Sequence, residues 1–206
     1  MNLDHLRYSG LPQSLQTERF CRIIEAVPIL SDALSRARRL NLPDWWLVSG
    51  ALYNSVWNVL SGRPHGYGIK DIDIAYFDGS DLSWSAEDSA IQAGAMAFEG
   101  YTLPVEIRNQ ARVHLWFEEH FGKRYPPLRC ASESIERYVA IAHYVGVRLA
   151  SDNTLNIYAP FGLDDIFSFR IRPNHAIDNR ETYEIKARRA LECWPELTIQ
   201  SWDKEG

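Results

Sequence analysis

Apolar residues recur at helical spacing from 15 to 40, with Phe20, Ile23, Ile24 and Val27 on one stripe. Pro28 interrupts that stripe, so the pattern predicts two helices, the second capped by Ser31 or Asp32 and ended by Asn41-Leu-Pro-Asp44. Residues 45–48 predict a short buried strand. Residues 51–60 predict a helix with Leu52, Val56, Val59 and Leu60 on one side. The glycines and Pro64 within 61–68 predict a loop. A strand over 69–77, a link over 78–85, a helix over 86–99, a strand over 104–108 and a helix over 111–120 follow. Residues 132–149 read as the clearest helix of the C-terminal half, on the stripe Ile135, Tyr138, Val139, Ala142, Val145 and Leu149. A strand over 156–159, a weaker one over 166–171 and a last helix over 180–193, stopped by Trp194-Pro195, complete the chain. Strands alternating with helices argue an α/β (α+β) fold. No linker divides it, so 1–206 reads as one domain, with roughly 1–14 as a flexible tail.

Composition narrows the function. The 206 residues carry a net charge of −5, and the pI is 5.7. Phosphate neutralisation supplies most nucleic-acid affinity, so an acidic chain disfavours a nucleic-acid partner. The local basic clusters Arg36–Arg39, Lys123-Arg124 and Arg188-Arg189 read as solvated helix faces. The 7 tryptophans read as packing residues. No apolar run reaches the roughly 18 residues of a membrane span. The start of the chain lacks a signal-peptide layout. Cys21, Cys130 and Cys193 are too scattered for a disulfide framework or a metal knuckle. A cytoplasmic location without membrane contact is the expectation.

The candidate chemistry lies in Lys70-Asp-Ile-Asp-Ile-Ala-Tyr-Phe-Asp78. On a strand, Asp71 and Asp73 point to one face, with Ile72, Ile74 and Tyr76 on the other. Two such carboxylates repel unless a cation sits between them, and oxygen-only ligands suit Mg²⁺. Spacing alone leaves open a metal site or a pair of strand-end acids. Glu106 would add a third carboxylate if its strand lies alongside. Upstream, Ser49 and Gly50 turn a strand into a helix, whose free N–H groups suit phosphate; the alternative is a plain capped turn. Arg108 shares the face of Glu106, either stabilising developing charge or pairing with that acid. His65, Lys70, Asn109 and Arg112 are lesser candidates. Asp164 and Asp165 read as turn caps, and His114, His120 and His143 as surface or cap residues.

These residues resemble the nucleotidyltransferase superfamily that includes DNA polymerase β, the CCA-adding enzymes and the aminoglycoside nucleotidyltransferases. Its signature is a small-residue strand-to-helix turn, an Asp-x-Asp strand and a third carboxylate on a neighbouring strand. Gly50, Asp71, Asp73 and Glu106 match those places. The stretch from Leu47 to Asp78 resembles the CCA-adding head, including Gly62-Arg-Pro64. The whole chain is similar to a bacterial family of small nucleotidyltransferase-like proteins, on Gly50-Ala-Leu52, Val105-Glu-Ile-Arg-Asn109, Pro160-Phe-Gly-Leu-Asp-Asp-Ile-Phe167 and Arg172-Pro-Asn174. Three departures stand out. Ala51 occupies the second small position of the turn, Tyr53-Asn54 replaces an Arg-Asp pair, and the gap from Gly50 to Asp71 is longer than usual.

The resemblance implies a mixed β-sheet with helices mainly on one face, plus C-terminal helices. It implies a metal-dependent transfer of an NMP, with AMP from ATP as the default, to a hydroxyl of an unknown small molecule or protein. Mg²⁺ or Mn²⁺ would be held by Asp71, Asp73 and Glu106, the last as ligand or general base. The nucleotide would be held by Ser49, Gly50 and Arg108. The rival reading is a non-catalytic nucleotide sensor or toxin–antitoxin component that keeps the fold. Oligomeric state is not legible.

Overall fold

A computed structural model describes residues 4–176 and 178–203. The N-terminal half runs α1 (Gln13–Ala26), α2 (Pro28–Arg39), β1 (Trp46–Val48), α3 (Gly50–Ser61), β2 (Ile72–Tyr76), α4 (Trp84–Ala97) and β3 (Val105–Asn109). Short elements follow: a 3-10 helix (Gln110–Leu115), α5 (Phe117–Phe121), α6 (Ser132–Ile135) and a 3-10 turn (Ile141–His143). Then come β4 (Gly146–Leu149), β5 (Leu155–Tyr158), α7 (Asp164–Phe167), β6 (Arg170–Ile171), α8 (Arg180–Cys193) and β7 (Thr198–Ile199).

Five strands form one mixed sheet in the order β3-β2-β1-β4-β5. Only β2 and β3 are parallel within it. Strand alternation splits the side chains between two faces. One face sends Leu47, Ile72, Ile74, Ile107 and Val147 into the main core, against Phe20 and Ile24 of α1, Leu30 and Leu34 of α2 and Val56 and Trp57 of α3. The other face carries Trp46, Val48 and Ala75, covered in part by Ala131, Ile135 and Tyr144. Asp73 and Glu106 belong to this second, half-covered face, because their strand neighbours Ile72, Ile74 and Ile107 point into the main core.

The largest difference from the sequence reading is at 132–149. Only 132–135 is α-helical, and the segment ends as β4. Its apolar spacing fits a helix, but β1 needs a partner on the edge that β2 leaves free, since buried backbone groups must pair. Leu47 and Val48 take Val147 and Gly146 as register partners. Gly146 suits the crowding there: a Cβ would stand 2.7 Å from Ile135. β-branched Val145 and Val147 favour the extended form.

Smaller differences have local causes. The helix expected over 111–120 breaks into a 3-10 helix and α5 at Trp116. The strand expected over 166–171 is α7 followed by β6, with Phe169 at a φ of 49° between them. Neither Ser31 nor Asp32 caps α2; Val27 takes the cap position and Pro28 opens the helix, where its missing N–H costs nothing. Asp32 pairs with Arg36 instead, at 2.9 Å. The segment expected as a tail is docked from Asp4 onward. The Gly10 N–H donates to Asp164 at 2.7 Å, Ser9 and Ser168 share a hydrogen bond, and Tyr8 meets Phe167 edge-on. Asp165, read as a turn cap, is buried against Arg170 (2.6 Å) and Arg172 (2.8 Å). Among the described residues no helix is long and apolar enough to cross a membrane.

Candidate active site

The parallel pairing of β2 with β3 sets Asp73 directly opposite Glu106. Both therefore project from the half-covered face, one strand apart. Asp71 lies one residue ahead of β2 rather than within it, and enters the same cleft. Burial first, then the charges of Asp71 and Glu106, push the Asp73 carboxyl up to about 6. Burial is the larger cause, and the two neighbouring carboxylates add to it against the opposing pull of Lys186 and Arg108.

The turn before α3 is the second part of the cleft. Ser49 adopts φ 60° and ψ −124° and serves as the N-cap, and Gly50 begins the helix. A serine in this region stores strain on the order of 1–3 kcal/mol, and such strain gathers at functional sites. Ala51 is a buried helix residue, so the two-residue turn is Ser49-Gly50 rather than Gly50-Ala51. The turn therefore keeps a hydroxyl. The Tyr53 ring stacks on His143 at 4.6 Å and 10°. Burial and nearby Lys186 push the His143 imidazole down to about 3, so it is neutral. His143 is thus a buried platform rather than a surface or cap residue. Asn54 also faces the cleft, and its Oδ1 is buried without a hydrogen-bond partner.

The cleft encloses about 400 Å³. Its far wall is α8, which contributes Lys186 and Arg189. Desolvation lowers the Lys186 pKa, against the pull of Asp73 and Asp71. The sequence reading missed Lys186 and took Arg188-Arg189 as a solvated face. Their i, i+3 spacing puts Lys186 and Arg189 on one side of the helix, which was the only available signal. Trp194, just past α8, docks that helix. Its indole N–H donates to Asn58 Oδ1 at 3.0 Å and its ring covers Gly68. Asn58 in turn donates to the carbonyls of His65 and Tyr67, which fixes the loop leading to Lys70 and Asp71. Gly68 has a φ of 68°, and a Cβ there would stand 2.5 Å from the Trp194 ring. Gly68→Ala is expected to lower stability by about 1–3 kcal/mol in urea unfolding. An unchanged midpoint would show that the ring yields freely.

The remaining sequence candidates fall elsewhere. Lys70 lines the cleft, whereas His65 does not. Asn109 holds Asp78 through two hydrogen bonds, and Arg112 pairs with buried Glu87. Arg108 stands on the opposite side of the carboxylates from Ser49 and Gly50, 3.9 Å from Glu106.

Among the described residues, no three His, Cys, Asp or Glu side chains stand as a group that could hold a metal ion as placed. The donor chemistry nevertheless fits one. Asp71, Asp73 and Glu106 offer only oxygen, and a cation would relieve both the burial of the Asp73 carboxylate and the repulsion that Asp71 and Glu106 add to it.

The family model described as Nucleotidyltransferase matches residues 35–199. Among solved structures, the chain is similar to a protein whose NMR structure reveals a CCA-adding enzyme head domain. That likeness has a TM-score of 0.73 at 23% identity, over 89% of this chain and 95% of that one, and it concerns the fold. No curated protein matches the chain.

Proposed function

Given that this chain belongs to the nucleotidyltransferase family, we propose that it moves an NMP, AMP from ATP in the first instance, onto a hydroxyl of a small-molecule or protein acceptor. The observation that carries this reading is the Asp73–Glu106 register pair beside a cation-lined cleft headed by the Ser49-Gly50 turn. Nucleotidyltransferases generally use divalent metals, and Mg²⁺ or Mn²⁺ on Asp71, Asp73 and Glu106 would neutralise phosphate charge and acidify the acceptor hydroxyl.

The chain's own groups have distinct tasks. The free N–H groups at the start of α3 and the Ser49 hydroxyl hold the β- and γ-phosphates. Lys186 and Arg189 balance the charge that gathers there. Asn54 Oδ1, left without a partner, accepts a hydrogen bond from the nucleotide. The acceptor oxygen forms a bond to the α-phosphorus while the bond from that phosphorus to the bridging oxygen breaks. Pyrophosphate leaves with the electron pair, and the hydroxyl proton passes to the Glu106 carboxylate.

Calorimetric titration with ATP tests the reading. Binding with Mg²⁺ should weaken at least tenfold, about 1.4 kcal/mol, when EDTA replaces the metal. Lys186→Met should weaken it by a similar factor. No heat of binding with any of the four common NTPs, or an affinity indifferent to metal, would favour a non-catalytic module that keeps the fold.

A further inference from the structure

A second cavity, of about 320 Å³, opens on the other side of the same carboxylates. It shares Asp73 and Glu106 with the polar cleft, but its walls differ in kind. Trp116, Phe117, Tyr125 and Tyr138 line it, and Arg108 and Arg137 stand at its edge. We propose that this cavity is the acceptor site, and that the acceptor is a small molecule with a flat, apolar or aromatic body that carries both a hydroxyl and an anionic group. The proposal rests on the nucleotidyl-transfer reading above.

Three observations support it. The first is position. In-line displacement needs the nucleophile opposite the leaving group. With pyrophosphate held by the Ser49-Gly50 turn, Lys186 and Arg189, the attacking oxygen must come from the Arg108 side of Glu106, and that side is this cavity. The second is size and surface. A volume of about 320 Å³ sits at the lower end of small-ligand pockets, and its aromatic walls suit a planar body. The third is charge. Among the described residues, Asp73 and Glu106 are the only acids lining the cavity, and they face the reacting centre. The Arg137 guanidinium lies over the Tyr125 ring at 4.7 Å, and Arg108 is 3.9 Å from Glu106, too far for a strong hydrogen bond. Both cations can take up an anionic group on the acceptor. Tyr138 lines the same cavity and offers its hydroxyl to the acceptor.

The test uses the full chain and 4-hydroxyphenylacetate as probe, followed through the Trp116 indole N–H signal in proton–nitrogen NMR, with Trp116→Phe identifying that signal. The probe should shift the Trp116 signal in a saturable way. The neutral alcohol analogue, 4-hydroxyphenylethanol, and the variant Arg137→Gln should each weaken binding by roughly fivefold or more, as loss of a charge-assisted contact does. The affinity of Arg137→Gln for Mg²⁺–ATP should stay within roughly twofold of wild type. No saturable shift at 10 mM probe, or equal binding of acid and alcohol, overturns the proposal. A tenfold loss of ATP affinity in Arg137→Gln also overturns it, and makes this cavity the base pocket. If wild type binds the probe but no Mg²⁺–NTP, the transfer reading itself fails and the acceptor role falls with it.

Discussion

Asp73→Asn should cripple transfer and stabilise the metal-free protein. In an assay that follows the α-phosphate label, the rate is expected to fall on the order of 10³-fold, since the variant removes the carboxylate shared by cleft and cavity. The stability gain follows from the raised carboxyl. Burial and the charges of Asp71 and Glu106 push Asp73 up to about 6 in the folded chain. Unfolded, an aspartyl group titrates near ~4. An acid whose pKa is raised by folding is destabilising once ionised. The penalty is absent below ~4, grows as pH rises toward about 6, and is complete above that. Two pKa units correspond to at most about 3 kcal/mol, reduced by the access of solvent to this half-buried residue. Urea unfolding without metal should therefore show Asp73→Asn more stable than wild type at pH 7.5 and equal to it at pH 3.5. Mg²⁺ should stabilise wild type alone. A variant less stable at pH 7.5 would mean that the carboxylate makes a favourable contact, contrary to the repulsion described.

Trp194→Ala should be the most destabilising single change at the site. The side chain is 2% exposed and packs on Trp57 with ring centroids 5.3 Å apart. Truncation of such a residue costs about 3–5 kcal/mol, and Asn58 Oδ1 loses its donor. The consequence reaches the cleft, because Trp194 docks α8 on the loop that contains Gly68. Lys186 and Arg189 should lose their placement, so ATP affinity should fall along with stability. Trp84→Ala is the control. Trp84 is 70% exposed, and its removal should move stability by no more than roughly 0.5 kcal/mol. Comparable losses for the two tryptophans would sink the docking argument.

The contrast between these two residues shows where sequence reading succeeds. Trp84 and Trp194 are alike as letters, and both read as packing residues. Only the folded chain separates a surface ring from one that fixes a helix. Asp73 is the reverse case. Its alternation with Ile72 and Ile74 is local, and strand geometry alone sends it to the opposite face from them. Helices α1, α2, α4 and α8 were legible for a similar reason, since a solvent-facing side leaves a periodic trace, whereas α3 is buried nearly all round.

The segment from 132 to 149 carries the same kind of trace, on Ile135, Tyr138, Val139, Ala142, Val145 and Leu149, and there the trace misleads. Strand β4 emerges because β1 has an unpaired edge, which is not a property of the segment itself. The cation wall was hidden in the same way. Lys186 and Arg189 look like any solvated basic face until Trp194 brings α8 against the carboxylates.

By itself, then, the sequence determined the chemistry on offer: Asp73 and Glu106 on two strands with Asp71 just ahead of the first, a Ser49-Gly50 turn, and a family. Strand alternation and turn geometry are short-range, so local order carries them. The tertiary structure alone decided which groups share a space. It set Asp73 opposite Glu106, moved Arg108 to the aromatic side, brought Lys186 and Arg189 to the polar side, and made a strand of β4. Those outcomes depend on contacts between residues far apart in the chain, where burial and backbone pairing outweigh local preference.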